Sequence, residues 1–357
     1  MKTKTVNRLL ISSMILYLVF PLFSSEEQST VLKIGEITAA PGEMKSGFLL
    51  VPEVNKIKTK IPVTLINGKK QGKILALVAG VHGYEYPPIL ALQRLKSMIS
   101  PEDLEGALIL VHIANLPSFQ KRTIYYNPYD WKNLNRVFPG DPKGTLAERI
   151  AFVLTEEVVK QCDYLIDMHC GDGNEALIPY TYWMITGNKT LDQRSKELAL
   201  AFGIDKIIID KTRTKNLSQS KYLGNTAVLL SKPAITIESG YLGKADEESI
   251  VRVINGTKNV MRHLEMTKGK PSFVVEPVWI DDYQVIYSET TGLFYPLKKM
   301  GQKVEKGETV GYTTDYFGNK TSELTAPFQG IVLYIINTPP ANKGEPLFEI
   351  GHIKKKD

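Results

Sequence analysis

The sequence predicts an α/β protein with a mixed, largely parallel sheet flanked by helices, followed by a small C-terminal all-β sandwich. Between residues 61 and 264, apolar runs of strand length alternate with segments of helical periodicity. After Lys268 the pattern changes to short apolar runs separated by Gly, Pro and Asp turns. A chain of 357 residues can hold one large and one small domain. We therefore expect an α/β domain over 26–268 and a β domain over 269–357.

The N-terminus has the pattern of a secretory signal peptide. Basic residues in the first eight positions precede the apolar run Leu9–Phe23, and small and polar residues follow it. This run is short for a membrane span, which needs about 20 apolar residues. We therefore predict a signal peptide over residues 1–25, export to the periplasm or medium, and no stable membrane span after its removal. The alternative is a protein tethered to the membrane by an uncleaved N-terminal segment.

The charge of the chain argues against a nucleic-acid partner, and the positions of its two cysteines argue against a disulfide. The formal charge is only +6, and no basic stripe interleaved with aromatic residues is present, so we expect no nucleic-acid partner. Cys162 and Cys170 flank the predicted strand 163–169. An extended strand of that length separates its ends too far for a disulfide.

The first half of the α/β domain begins with short β segments. Asn67-Gly68 follows the predicted strand Ile61–Ile66 and is a strong hairpin signal, so we expect Lys73–Ala79 to pair with that strand. A helix opened by proline follows at Pro88–Ile99, and the next strand is Ala107–Ile113.

The segment from residue 115 to about 142 is long, irregular and rich in Tyr, Trp and Arg, which favours a functional loop. The remaining predicted helices are Leu146–Lys160, Thr190–Phe202, Ser218–Leu230 and Asp246–Leu264; the remaining predicted strands are Asp163–His169, Lys206–Asp210 and Pro233–Glu238.

Three of these strands end in side chains that can meet at one edge of the sheet. His82 and Glu85 lie on the loop after the first strand, His169 ends the second, and Glu238 ends the third. Open α/β sheets place their chemistry at the carboxyl ends of strands. Two imidazoles and one carboxylate with an open fourth position form a catalytic zinc arrangement. We therefore predict one zinc ion on His82, Glu85 and His169, with Glu238 as the general base.

The long loop supplies the cations and amides of the predicted site. Arg136, helped by Asn135, can bind a substrate carboxylate through paired donors. Arg122 can stabilise the negative oxygen that develops on the attacked carbonyl. The substrate implied is a small amide or short peptide that carries a carboxylate.

Four segments together resemble the succinylglutamate desuccinylase/aspartoacylase family, within the carboxypeptidase-A-like zinc hydrolase clan. They are Gly80–Glu85, Asn133–Gly140, Asp167–His169 and Thr236–Gly240. The resemblance extends over roughly residues 70–357 and implies the same zinc ligands, general base and substrate-binding residues. The C-terminal part resembles a biotinyl/lipoyl-like sandwich. Asn319 stands where a carrier domain has its modifiable lysine, so we expect this domain to carry no cofactor.

The function predicted is zinc-dependent hydrolysis of an amide bond. The preferred hypothesis is deacylation of an N-acyl amino acid. The alternative is an exported metallocarboxypeptidase or amidase that acts on peptides such as cell-wall peptides. A third hypothesis is a binding protein without turnover, against which the complete set of His82, Glu85, His169 and Glu238 argues. The acyl group, the amino acid and the oligomeric state are left open by the sequence.

Overall fold

The computed structural model describes residues 1–2 and 30–355, so the segment 3–29, which prompted the signal-peptide prediction, lies outside the described residues. The strands are β1 (Leu32–Ile34), β2 (Ile37–Ala39), β3 (Glu43–Val54), β4 (Ile57–Asn67), β5 (Lys70–Ala79), β6 (Glu105–Val111), β7 (Tyr164–His169), β8 (Glu175–Leu177), β9 (Tyr180–Met184), β10 (Lys206–Asp210), β11 (Ala234–Glu238), β12 (Val278–Tyr287), β13 (Gly292–Pro296), β14 (Lys303–Val304), β15 (Thr309–Thr314), β16 (Lys320–Thr325), β17 (Gly330–Ile336), β18 (Pro340–Ala341) and β19 (Pro346–Ile353). The α-helices are α1 (Tyr86–Met98), α2 (Leu116–Lys121), α3 (Leu146–Leu154), α4 (Lys189–Phe202), α5 (Leu223–Leu229) and α6 (Glu247–His263).

One large mixed sheet organises the molecule, as predicted. Its strand order is β14-β17-β19-β12-β10-β9-β11-β7-β5-β6-β4-β3, and β8 pairs with β17 outside this path. Strands β6, β5, β7 and β11 are mutually parallel, and so are β9, β10 and β12. Strand β9 meets β11 antiparallel, and both flanks of the sheet are antiparallel. The parallel pairings are therefore confined to the centre, where the carboxyl ends of β5, β7 and β11 meet.

The predicted hairpin between β4 and β5 is wrong. Strand β6 lies between them, antiparallel to β4 and parallel to β5. Asn67-Gly68 does turn the chain, but the turn packs against β6: the Gly68 amide donates to the carbonyl of Gly106 at 2.9 Å. A Cβ at Gly68 would lie 2.1 Å from the carbonyl oxygen of Leu104, so this approach requires glycine. The local turn signal was correct, whereas the partner strand is set by a contact distant in sequence.

Two helical layers cover the central sheet. Helices α1, α4 and α6 pack on one face together with Leu75, Leu77 and Ile237. Helices α3 and α5 pack on the other face, against a core that includes Val78 and Leu165. Side chains alternate between faces along a strand, so Asp167 and His169 share the α3/α5 face with Leu165. The predicted site residues of β7 therefore lie on that face.

Several predicted boundaries shift. The predicted helix Leu146–Lys160 is α3 continued by the wider turn Thr155–Val159. The predicted helix Ser218–Leu230 is interrupted at Lys221, whose φ is 65°, and only α5 is α-helical. The irregular segment contains α2 and the short turn Leu134–Arg136. Strands β8 and β9 were not predicted, since they are short and flank the break at Pro179.

The C-terminal strands extend the central sheet. Strand β12 pairs parallel with β10, and β17 pairs with β8 beside the site. A second sheet of four strands, β16-β15-β13-β18, shares an apolar core with β17 and β19 that includes Phe294, Val310 and Phe348. Both cysteines are free and buried. Within the described residues, no helix is long and apolar enough to cross a membrane.

The continuity of the sheet predicts that the α/β part does not fold well alone. A chain that ends at Lys268 lacks β12, β17 and β19, and so uncovers Leu177, Tyr180 and Ile208, which pack against Ile280 and Leu333. We expect this truncated protein to be insoluble or to melt well below the full chain, and the full chain to unfold in one transition. Circular dichroism melts of both proteins check this. A soluble truncated protein with an unchanged midpoint would show that the first 268 residues form an independent domain.

Candidate metal and catalytic site

The loop between β5 and α1 is held against α2 by a glycine. Gly80 turns the chain after β5 with φ 69°. A Cβ at Gly83 would lie 2.0 Å from the backbone nitrogen of Phe119, so only glycine lets the loop pack this closely. The Gly83 amide also donates to the Ser118 hydroxyl at 3.2 Å. The loop is thereby fixed with the side chains of His82 and Glu85 buried.

Glu85 joins the two histidines of the predicted triad. Its Oε1 lies 2.7 Å from Nδ1 of His82, and its Oε2 lies 2.8 Å from Nδ1 of His169. All three side chains are buried, and their ligand atoms lie within 4.8 Å of one another. The structure therefore brings the three predicted metal ligands together, as the sequence pattern indicated. His82 and Glu85 come from the loop, and His169 comes from the end of β7.

The outer nitrogen of each imidazole faces an oxygen. Nε2 of His82 lies 3.0 Å from Oδ1 of Asn133, and Nε2 of His169 lies 3.0 Å from Oδ1 of Asp167. With a metal ion on the Nδ1 side, the oxygen at each Nε2 would hold the remaining proton there, so that Nδ1 would be the ligand atom. Both Nδ1 atoms converge on Glu85. This donor set, two imidazole nitrogens and a carboxylate oxygen, suits zinc.

Electrostatics ties the triad together. Burial raises the pKa of Glu85, but His169 and His82 outweigh it and bring the pKa to about 2. Burial lowers the pKa of His169, but Asp167 and Glu85 outweigh it and raise the pKa well above its usual value. The histidine proton and a metal ion therefore compete for the same nitrogen in this site.

Glu238 stands beside His169 on the same face of the sheet. The two residues are direct partners across β11 and β7. Oε2 of Glu238 is buried and has no hydrogen-bond partner among the described residues. Burial raises the pKa of Glu238 well above its usual value, and Glu85 and Glu175 add to this against the opposing charge of His169. A carboxyl group that can hold a proton next to the metal ligands has the character of a general base or acid.

Asn135 and Arg136 lie in the wall of this site. Asn135 is buried, and its Nδ2 lies 3.3 Å from Nε2 of His169 while its Oδ1 accepts from the Leu223 amide at 3.0 Å. Arg136 is exposed, donates from Nη1 to the Asn135 carbonyl and stacks 4.8 Å from the centre of the Tyr222 ring. Arg122 is also exposed and ends α2 with φ 53°, and its side chain has no contact with the triad among the described residues.

Sequence reasoning missed several residues of the site. Asn133 holds His82, and its position two residues before Asn135 is typical of a turn cap: its Oδ1 accepts from the Asn135 amide at 2.8 Å. Asp172 accepts from the Tyr125 amide at 2.9 Å and so fixes a loop aromatic whose ring lies 6.1 Å from that of His82.

The comparisons with known proteins agree with this geometry. Residues 71–264 match the model of the succinylglutamate desuccinylase/aspartoacylase catalytic domain. An N-alpha-acetyl-L-2,4-diaminobutyric acid deacetylase from Halomonas elongata is 30% identical over 322 residues, which is 87% of this chain and 92% of that protein. The chain belongs to this family. Its enzymes are deacylases, and the relatives support hydrolysis of small N-acyl amino acids.

Solved structures show the same fold. A succinylglutamate desuccinylase from Silicibacter sp. TM1040 is 26% identical with a TM-score of 0.76, covering 90% of this chain and 100% of that one. The apo ectoine utilization protein EutE from Ruegeria pomeroyi is 25% identical with a TM-score of 0.71, covering 91% and 99%. The family fold is therefore the mixed α/β fold described above.

The family relatives correct the prediction of export. They are a deacetylase of an acetylated amino acid and an ectoine utilization protein, and amino-acid catabolism is usually an intracellular activity. The expectation of an exported or membrane-tethered protein, made from residues 1–25, is therefore wrong. The argument for cell-wall peptides depended on export and loses its support with it.

The raised pKa of His169 makes metal binding pH-dependent. While His169 is protonated, its interactions with Asp167 and Glu85 stabilise the folded protein. This contribution is lost as the pH rises through the raised pKa of His169. At pH 7 we expect the metal-free protein to release at least one proton per zinc ion bound, because the ion displaces the proton from Nδ1 of His169. Zinc titration in weak buffer with a pH indicator measures this. Zinc binding at pH 7 without proton release would contradict the raised pKa.

Proposed function

We propose that this protein is a zinc-dependent deacylase of N-acyl amino acids, with one zinc ion held by His82, Glu85 and His169. The observation that carries the proposal is the convergence of both Nδ1 atoms on Glu85, with ligand atoms within 4.8 Å of one another. Membership of the deacylase family supports it. When bound, zinc supplies Lewis-acid polarisation of a carbonyl and acidifies a water molecule.

Glu238 moves the proton in this proposal. Its Oε2 is buried beside His169, has no hydrogen-bond partner in the described chain, and has a raised pKa. A carboxyl group in this position can accept a proton from the attacking water and deliver it to the departing amine. Asp167 positions His169 through the 3.0 Å contact at Nε2.

Arg136 and Asn135 bind the carboxylate of the substrate in this proposal. Arg136 is exposed to the site, and its stacking on Tyr222 holds the guanidinium plane while other N–H groups stay free for a ligand. The role of Arg122 at the developing oxyanion stays a prediction, since this residue lies at the exposed end of α2. Arg122 would have to approach the site when substrate binds.

We propose that the C-terminal strands form a sandwich that carries no cofactor and has a structural role. The tip of the β15–β16 hairpin holds Asn319 where a carrier domain has its lysine. Asn319 is hydrogen-bonded to Asp315 through both its backbone and its side chain. These contacts support a fixed turn. The unit is joined to the catalytic part through the β10–β12 and β8–β17 pairings.

A substrate panel tests the proposed function. The zinc-loaded full chain is given Nα-acetyl amino acids, including Nα-acetyl-2,4-diaminobutyrate, and short peptides, each with a free or an amidated carboxylate, and amine release is followed by mass spectrometry. We expect cleavage of the free acids. Arg136→Ala should lower kcat/KM for them by about 10- to 100-fold, because a charge-assisted pair is lost, and leave the amides unaffected. Arg194→Ala on the exposed face of α4 is the matched control. Preferential cleavage of peptides would contradict the deacylase assignment.

Two substitutions separate metal binding from proton transfer. Glu238→Gln should retain zinc and lose about 10²- to 10⁴-fold in kcat, because the amide cannot accept the proton. His169→Ala should lose zinc itself, because it removes one of three ligands. Metal analysis and turnover of the same preparations measure both effects. Loss of zinc in Glu238→Gln would make Glu238 a ligand or a structural residue, and full zinc occupancy in His169→Ala would remove His169 from the ligand set.

A further inference from the structure

Glu349 is a buried carboxyl group that the proposed mechanism does not use. It lies on β19 and is 3% exposed. Its neighbours Phe348 and Ile350 pack into the sandwich core, so Glu349 points to the opposite face of the strand. Its polar contact is the hydroxyl of Tyr182, 3.3 Å and 3.5 Å from its two oxygens. Among the described residues, no Lys, Arg or His side chain forms an ion pair with it.

Two chains of contacts lead from the catalytic residues to Glu349. On β9, Tyr180 is the direct partner of Glu238, and its ring lies 5.5 Å from that of Tyr182, which contacts Glu349. On β17, Tyr334 is the direct partner of Glu349 on β19; burial raises the pKa of Tyr334, Glu349 adds to this rise, and the charge of Arg136 opposes it. Glu349 therefore borders the region between Glu238 and Arg136.

A third chain of contacts joins Arg136 to Tyr182. Tyr222 lies between two guanidinium groups, with Cζ of Arg136 4.8 Å and Cζ of Arg213 3.9 Å from its ring centre. Arg213 also lies 5.5 Å from the ring of Tyr182. These contacts link Arg136, through Tyr222 and Arg213, to Tyr182, which is the residue that contacts Glu349.

The charges along these contacts are unevenly distributed. Arg213 is paired through Nε with the buried Asp210, so these two charges cancel. Arg136 remains as a cation at one end, and Glu349 remains as a carboxyl without a cation at the other. A buried carboxyl group is costly to retain in its ionised form when no cation is paired with it. Burial raises the pKa of Glu349 to about 8, against the opposing effects of Tyr182 and Arg213. Near neutral pH the group is therefore largely protonated, and an ammonium group beside it would favour its ionised form.

We propose that Glu349 determines specificity by binding an ammonium group on the side chain of the substrate, so that the substrates are N-acyl derivatives of basic amino acids. Arg136 binds the carboxylate, Glu349 receives the side-chain cation, and Tyr182 orients Glu349 through its hydroxyl. This inference rests on the proposed deacylase function. It assigns a task to the C-terminal strands, which contribute Glu349 and Tyr334 to the pocket.

Isosteric substrate pairs test the inference. The zinc-loaded full chain is given Nα-acetyl-2,4-diaminobutyrate against Nα-acetylnorvaline, and Nα-acetylornithine against Nα-acetylnorleucine, with Nα-acetylglutamate as the acidic member. We expect a higher kcat/KM for the ammonium member of each pair. Glu349→Gln should lower that preference by about 10- to 100-fold, through loss on the ammonium substrate and with the neutral substrate unchanged. Glu289→Gln, in an exposed turn, is the control.

The ratio within a pair distinguishes recognition from general damage. Misfolding lowers kcat/KM for both substrates of a pair equally. The zinc content of each variant checks its fold. Tyr182→Phe is a second variant that keeps the ring and removes the hydroxyl, and it should lower the same ratio by a smaller factor. An unchanged ratio in both variants, or a wild-type preference for the neutral or acidic members, overturns the role of Glu349 while the deacylase function stands. Absence of turnover for every acetyl amino acid overturns the proposed function itself.

Discussion

The carboxylate of Glu85 is the interaction on which the site depends. It is buried between two imidazoles that belong to different elements, the loop after β5 and the end of β7. Removal of one partner from a buried charge pair costs about 3–5 kcal/mol, because an uncompensated charge remains. The position of Glu85 in turn requires the close packing at Gly83, where no side chain fits against α2. A backbone constraint within the loop that carries His82 and Glu85 thereby sets the spacing of the ligand atoms.

Strand register extends this constraint across the sheet. His169, Glu238 and Tyr180 are direct partners along β7, β11 and β9, so their side chains emerge on one face. Neighbouring strands are about 4.8 Å apart, and the row therefore spans about 10 Å. A slip of one residue would turn all of these side chains to the opposite face. The apolar residues between them, Ile237 and Met168, prevent such a slip because they are buried under α1, α4 and α6.

The sequence was sufficient where the signal is local. It placed His82, Glu85, His169 and Glu238 at one edge of the sheet because each follows an apolar strand, and strands of an α/β sheet end at a common edge. The partner of β4 was predicted wrongly because β6, which is more than 35 residues away along the chain, separates β4 from β5. Asn133 carried a turn signal whose target, His82, is set by tertiary packing. Arg213 and Glu349 are charged residues in ordinary surroundings, and only the fold makes them neighbours.

Several buried carboxyl groups lie close together around the triad, and shifts in their pKa values reduce the repulsion between them. Asp172 and Glu175 stand near Glu85 and Glu238, and their pKa values are raised, to about 7 for Asp172, first by burial and then by Glu85. Two imidazoles are the only basic side chains in the triad itself. A divalent cation on the triad would reverse this pattern, because a bound ion is the largest local charge and favours ionised carboxylates around it. The same reasoning applies to Glu349, which lies on β19 outside the triad and near an arginine, Arg213, that is already paired with Asp210. The triad therefore suits a metal ion, whereas Glu349 suits the ammonium group proposed for the substrate.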